Sequence, residues 1–194
     1  MDLIGKGAEA DIFFDGEIVK KIRSSKSYRL PELDLSLRKK RTRSEARILK
    51  KIGVIGPGFI SSNDVDEIRM GFLKGPLLKH VLDNDVSLAK QVGFVVGSLH
   101  DLNIVHGDLT TSNMILTNSN KVQLIDFGLS FISDKIEDKA VDLHLFREAI
   151  SSKHFLFEKI IWDKFVEGYA YKNKSAVLKR LGVVELRGRN KQKY

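Results

Sequence analysis

Cysteine is absent from the 194-residue chain, which excludes disulfides and thiolate-held zinc and offers no argument for secretion. No apolar run is long enough to cross a membrane, and the start Met1-Asp2-Leu3-Ile4-Gly5 lacks the basic-then-apolar pattern of a signal peptide. A soluble, cytoplasmic protein without membrane association is expected. The five histidines show no metal-ligand clustering, and neither an internal repeat nor a low-complexity tract interrupts the chain. Acid is scarce in one stretch: from Lys20 to Lys51 thirteen Lys or Arg stand against Glu32, Asp34 and Glu45. Arg187, Arg189, Lys191 and Lys193 add a second basic segment, bringing the two to about +14 in a chain whose formal charge is +8. The remainder is therefore net acidic, and that asymmetry suggests an anionic partner, nucleic acid first, or else a charged helix face that keeps the protein dissolved.

What is present is more specific. His106-Gly107-Asp108-Leu109-Thr110-Thr111-Ser112-Asn113 and Asp126-Phe127-Gly128 supply an aspartate, an asparagine five residues on and a second aspartate. Phosphoryl transfer from ATP is catalysed mainly by positioning and by neutralising charge on the phosphate oxygens, and this set matches that need. Asp108 would sit beside the attacking hydroxyl or water, Asn113 would hold one metal, and Asp126 would bridge metal to the β- and γ-phosphates. All are oxygen ligands, as magnesium prefers. Either motif alone also reads as an ordinary turn. Their context favours the functional reading, because Ile104-Val105, Met114-Ile115-Leu116 and Val122-Gln123-Leu124-Ile125 are short apolar runs that predict strands around them.

Toward the N-terminus, Leu3-Ile4, Asp11 to Phe14 and Ile18 to Ile22 read as strands, with turns at Gly5-Lys6-Gly7-Ala8-Glu9-Ala10 and at Asp15-Gly16. The glycines there would let backbone amides approach phosphate, although Gly-x-Gly-x-x-Ala resembles a Rossmann fingerprint as much as a kinase loop. No helix signal follows it, which disfavours Rossmann. Of Lys20 and Lys21, strand alternation lets one face the nucleotide. Lys21 is the better candidate, since Val19 would share its face and cover adenine. Both lysines solvated on an edge strand is the plain alternative.

Pro31 to Ile52 reads as a basic helix with apolar positions Leu33, Leu37, Ala46, Leu49 and Ile52, ended by Gly53, Gly56, Pro57 and Gly58. Glu45 is the one acid from Leu35 to Ile55, placed to pair with Lys21 or, on the surface, with Arg41 or Lys50. Ile68 to Pro76 reads as a strand and hinge, with Met70, Gly71, Phe72 and Leu73 beside adenine. Asp85 to Leu102 is predicted helical on Val92, Val95, Val96, Leu99 and Leu102. Further helices are expected from about Asp138 to Ile150, around Phe155 to Tyr171 and briefly near Ser175 to Leu181, with Trp162 and Phe165 as core anchors.

These residues resemble the PRPK-type small atypical kinases, the ATP-hydrolysing subunit of the KEOPS complex that supports threonylcarbamoyladenosine modification of tRNA. The resemblance spans nearly the whole chain. It is carried by residues 5–10, Tyr28-Arg29-Leu30-Pro31, residues 41–46, 106–113, 126–133 and 137–143, and Leu186-Arg187-Gly188-Arg189. It implies an α+β, minimal two-lobed protein-kinase-like fold in one domain: a small β-rich N-lobe over about 1–73, a reduced helical C-lobe over about 74–186 and a basic tail over 187–194. It implies ATP and Mg2+ as cofactors, with ATP bound between lobes. Asp108, Lys21 and Glu45 would be catalytic, and Asn113 and Asp126 would hold metal. Ile4, Gly5, Lys6, Gly7, Ala8, Glu9, Ala10, Asp11, Ile12 and Val19 would line the nucleotide site together with residues 70–73. The partners implied are the threonylcarbamoyl transferase subunit, a small helical KEOPS subunit and tRNA, the last held by Arg38, Lys39, Lys40, Arg41, Arg43, Arg187, Arg189, Lys191 and Lys193.

Two departures from ordinary protein kinases bear on mechanism. Gly107 replaces the arginine that reads a phosphorylated activation loop, and Asp142 follows Gly128 by only fourteen positions with no Ala-Pro-Glu signature. An ATPase-like switch is expected ahead of a peptide kinase, with self-phosphorylation at Ser130 or Ser133 as a side possibility. Small-molecule phosphotransferases share His-Gly-Asp and Asn but carry a larger helical insert. A vestigial tRNA-binding scaffold would have lost one of the ligands that are all present here.

Overall fold

The structure, a computed structural model, describes residues 1–7 and 9–191, with side chains as far as Arg187. It divides into two compact units, residues 1–73 with 127–129, and residues 74–126 with the chain from Ser130 onward.

In the first unit, β1 (Asp2–Lys6), β2 (Asp11–Phe14), β3 (Ile18–Ile22), β4 (Phe59–Ser62) and β5 (Glu67–Gly71) form one antiparallel sheet in the order β1-β2-β3-β5-β4. Period-two alternation sends Val19 and Lys21 of β3 inward, opposite Met70 and Ile68 of β5, while Lys20 stays half-buried. Helix α1 (Pro31–Ile52) follows. Proline opens it, Glu32 and Asp34 lie in its first turn and Lys50 and Lys51 in its last, each sign placed where the helix dipole favours it. Thr42, Glu45, Ala46, Leu49 and Ile52 recur at helical spacing and form its buried face. Leu33, expected among the apolar positions, is exposed, while its neighbour Asp34 is the buried residue of the first turn. The short 3-10 turn Phe127–Leu129 packs on α1.

The second unit is built on α2 (Leu88–Asp101), α3 (Ile136–Lys153), α4 (Glu158–Gly168) and α5 (Lys174–Lys191). Two small antiparallel pairs accompany them: β6 (Ile104–Val105) with β9 (Phe131–Ile132), and β7 (Met114–Leu116) with β8 (Val122–Leu124). Val92, Val96 and Leu99 of α2 meet Leu143, Phe146, Ile161 and Phe165 in a fully buried core. The Phe146 and Phe165 rings are 4.6 Å apart, and burying each contributes about 1.5–3 kcal/mol. Helices α2 and α4 touch backbone to backbone: a Cβ on Gly93 would lie 2.1 Å from the Phe165 carbonyl oxygen, and one on Gly168 would lie 1.9 Å from that of Lys90.

Several expected boundaries move. Leu102 is exposed beyond the end of α2. Phe155 and Leu156 are exposed in a turn, and α4 begins at Glu158. Trp162 is half-buried rather than a core anchor, because it stacks on the outer side of Phe165 at 5.3 Å and carries the Arg147 guanidinium over its own ring at 5.2 Å. Helix α5 is not brief: it runs through Leu181 to Lys191, so the basic segment from Arg187 to Lys191 is helical. Its polar surface hid it from periodicity. Ion pairs Arg147–Glu185 (2.8 Å) and Arg187–Glu137 (2.8 Å) tie it to α3.

Candidate active site

Strand β3 and helix α1 bring one set of groups together. Lys21 Nζ donates to Glu45 Oε1 at 2.8 Å, and Arg23 binds Glu45 Oε2 and donates to Thr42 Oγ1 at 3.3 Å. Lys21, Arg23, Thr42 and Glu45 are all buried. Glu45 is thus neither a surface charge nor a partner of Arg41 or Lys50. Two cations share this one buried carboxylate. Arg23 was missed, although it stands two residues beyond Lys21 and the same alternation points it inward.

Around the glycine turn, the Gly7 N–H donates to the Ala10 carbonyl at 3.0 Å, and β1 carries a bulge between Leu3 and Gly5. Ala10 is buried, Ile12 and Asp11 half-buried, and Ile4 and Lys6 exposed; Ala8 lies outside the described residues. Glu9 belongs to a different network. Its hydrogen bond to Arg41, together with Arg29, holds its carboxyl below the ordinary value of 4.5. On the hinge side Val19 and Met70 are buried register partners, Phe72 stacks on Phe14 at 4.3 Å, and Leu73 is half-buried. The Gly71 N–H already donates to the Gly58 carbonyl at 2.9 Å.

The basic face of α1 divides as well. Arg38 is held by Asp34 and Asp66 at 2.8 and 2.7 Å, and Arg41 by Glu9. Lys39, Lys40 and Arg43 instead line a depression of about 450 Å³ with Ser36, Ser44 and Arg47. Arg187 pairs with Glu137. Lys193 and the side chains of Arg189 and Lys191 lie outside the described residues.

The second set of groups sits in the other unit. Asn113, at the end of the 3-10 turn Thr111–Asn113, donates its side-chain amide to Asp108 twice, to the backbone carbonyl at 2.9 Å and to Oδ2 at 2.8 Å. Its backbone carbonyl accepts the Ile125 N–H at 2.9 Å, which brings Asp126 beside it. Asp126 is exposed and held at φ +60°, a left-handed backbone uncommon outside glycine. With the amide nitrogen of Asn113 committed to Asp108, its side-chain oxygen and the Asp126 carboxylate are the oxygens that could hold a metal. Magnesium suits such a pair, since it takes one or two protein ligands and completes its octahedron with phosphate and water. Among the described residues no cluster of three His, Cys, Asp or Glu offers a competing metal site.

The loop is fastened from beneath by Asp142 of α3, which is fully buried. Its carboxylate accepts the His106 N–H at 2.8 Å, the Gly107 N–H at 2.9 Å and the His100 Nε2–H at 3.1 Å. Tyr169 lies 2.7 Å from His100 Nδ1, and burial pushes its phenol well above the usual range. The Asp142 carboxylate can only accept, so the ring proton sits on Nε2 and, with the ring neutral, Nδ1 accepts the Tyr169 phenol. Gly107 takes φ +80°, which turns its N–H toward that carboxylate. His106 Nε2 lies 3.1 Å from the Ile125 carbonyl, and its Nδ1 accepts the Asp108 N–H at 3.3 Å. Asp142, His100 and Tyr169 went unassigned by sequence reasoning; for Asp142 the signal was its place within residues 137–143, which carry the family resemblance. Ser130 and Ser133 are engaged in the fold. Ser130 is buried and donates to the His106 carbonyl at 2.7 Å, and Ser133 donates to Asp138 at 2.6 Å at the start of α3.

With an antiparallel sheet in one unit, a helical second unit and these motifs in it, the molecule has the protein-kinase fold. A protein tyrosine and serine/threonine kinase family model matches residues 35–147. A co-crystal structure of WbdD with a kinase inhibitor aligns with TM-score 0.56 at 16% identity, covering 91% of this chain and 43% of that one. The EKC/KEOPS complex subunit BUD32 of Encephalitozoon cuniculi is 43% identical over 96% of this chain and 95% of its own length. The KEOPS complex subunit Bud32 of Pyrococcus abyssi is 37% identical over 100% and 98%. The chain belongs to the Bud32 family of atypical kinase/ATPase proteins. It also matches a probable bifunctional tRNA threonylcarbamoyladenosine biosynthesis protein of Methanocaldococcus jannaschii at 41% identity, of which it spans 36%. Among the described residues no helix is long and apolar enough to cross a membrane.

Proposed function

We propose that this chain binds ATP with Mg2+ and hydrolyses it as the kinase-like subunit of a KEOPS assembly that supports threonylcarbamoyladenosine modification of tRNA in the cytoplasm. The observation that carries this reading is the Asp108–Asn113 clasp, with the Ile125 N–H bonded to Asn113 so that Asp126 follows directly. Asn113 and Asp126 would hold the metal, which neutralises charge on the phosphate oxygens when bound. Asp108, its carboxylate fixed by the Asn113 amide, would accept the proton of the attacking water. Lys21, oriented by Glu45, would meet the phosphates, and Arg23 would hold the other Glu45 oxygen. With the Gly71 N–H engaged, backbone at Phe72 and Leu73 would serve adenine.

Water is favoured as acceptor over a peptide by the short segment after Gly128, in which Ser130 and Ser133 are both tied into the fold. The partners proposed are a threonylcarbamoyl transferase, a small helical subunit and tRNA. For tRNA phosphates, Lys39, Lys40 and Arg43 are the open part of α1, whereas Arg38 and Arg41 would first have to leave Asp34, Asp66 and Glu9.

The test is magnesium-dependent turnover with and without transferase and tRNA, following free phosphate and phosphate on protein. Free phosphate that rises with the partners is expected. Asp126→Ala should lower turnover on the order of a thousandfold, about 4 kcal/mol of transition-state stabilisation. Unchanged turnover in that variant, or label accumulating on protein alone, would sink the ATPase reading.

A further inference from the structure

A second chain of polar side chains enters the catalytic loop from the opposite end to Asp142. Thr111 Oγ1 lies 3.0 Å from His154 Nε2, and His154 Nδ1 lies 2.6 Å from Asp83 Oδ1. Thr111 is 2% exposed and His154 1%, while the Asp83 side chain is 44% exposed. From bonding capacity alone the order of donors follows. The Asp83 carboxylate can only accept, so the ring proton sits on Nδ1; with the ring neutral, Nε2 then accepts the Thr111 hydroxyl.

Hydroxyl, imidazole and carboxylate in this sequence are also the parts of a nucleophilic triad. Burial excludes that use, because a hydroxyl closed to solvent meets no substrate. The array instead fixes a position. Thr111 opens the single 3-10 turn that Asn113 closes, and Asn113 holds the Asp108 carboxylate. The other end is anchored too. The His154 N–H donates to the Ile150 carbonyl at 2.8 Å at the end of α3, and Asp83 follows Leu77, which bridges Ile115 just beyond Asn113.

We infer that Thr111, His154 and Asp83 are positioning residues that set the turn carrying Asn113, and through it both the Asp108 carboxylate and the metal-facing oxygen. The inference rests on the functional reading above for its kinetic consequence but not for its structural one. It is tested on the full chain with Thr111→Val, which keeps the buried volume and removes the hydroxyl, and with Thr111→Ser, which restores it. Thr111→Val is expected to lower kcat about tenfold and raise the magnesium concentration needed for half-maximal rate, with the KM for ATP changed less than about twofold; Thr111→Ser stays near wild type. Amide hydrogen exchange across residues 108–113 should quicken in Thr111→Val and not in Thr111→Ser. Equal turnover and equal exchange in wild type and Thr111→Val would overturn the relay. An inactive wild type would instead remove the ATPase reading, leaving the exchange comparison to decide the relay. Should Thr111→Val fail to fold, Asp83→Ala against Asp83→Asn, at an exposed position, reads the same loop: faster exchange in the first alone supports the relay, and no change in either overturns it.

Discussion

In the first unit one buried carboxylate, Glu45, is shared by two cations, Lys21 and Arg23; in the second one buried carboxylate, Asp142, is shared by two backbone N–H groups and a histidine. The difference separates two tasks. Side-chain charges at β3 and α1 hold one another and fix no backbone. The Asp142 carboxylate meets dipoles of the main chain itself, so it dictates where His106 and Gly107 run and hence where Asp108 begins. Charge is supplied in one place and geometry in the other.

The comparison is broken most severely by Asp142→Ala, which removes the shared acceptor from a fully buried site. A loss of about 3–5 kcal/mol in unfolding free energy is expected, read from the denaturant midpoint. Next comes an asymmetry within the first unit. Glu45→Gln leaves two buried cations without the carboxylate they share and should cost about 3 kcal/mol, whereas Lys21→Met leaves Glu45 with Arg23 and should cost clearly less. Equal losses in the two variants would show that Arg23 does not help to hold Glu45. The smallest effect belongs to Glu9. Its carboxyl is depressed by Arg41 and Arg29, so its stabilisation is present above the ordinary value of 4.5 and is lost as pH falls through the lower folded value. Glu9→Gln should remove a few tenths of a kcal/mol from stability at neutral pH and flatten the acid limb of the profile. Added salt should shrink that difference, since Glu9 is nearly half exposed.

Much of the site was legible because it is written in local rules. Strand alternation let only one of Lys20 and Lys21 face inward and Val19 on the same face singled out Lys21, while the isolated acid in a basic helix pointed to Glu45. The spacing from Asp108 to Asn113 and the strand before Asp126 placed the second set. The missed residues act across sequence distance: Asp142 sits 36 positions after His106, and Tyr169 lies 69 after His100. Periodicity reports which side of a helix is apolar, and α3 buries Lys139 and Asp142 on that side, so the pattern that finds core residues passes over the ones that fasten the loop. Helix α5 was shortened for a related reason, being polar on most of its surface and held by ion pairs to α3 that no local window contains.

Gly93 and Gly168 hold a wider consequence. The strand leading to Asp108 starts three residues past α2, and the depth at which α2 lies is set by two side chains that are not there. A methyl group at either position would act as a shim, tilting the helix off its bed and carrying the Asp108 loop with it, so that the proposed chemistry would be detuned from a helix–helix seam.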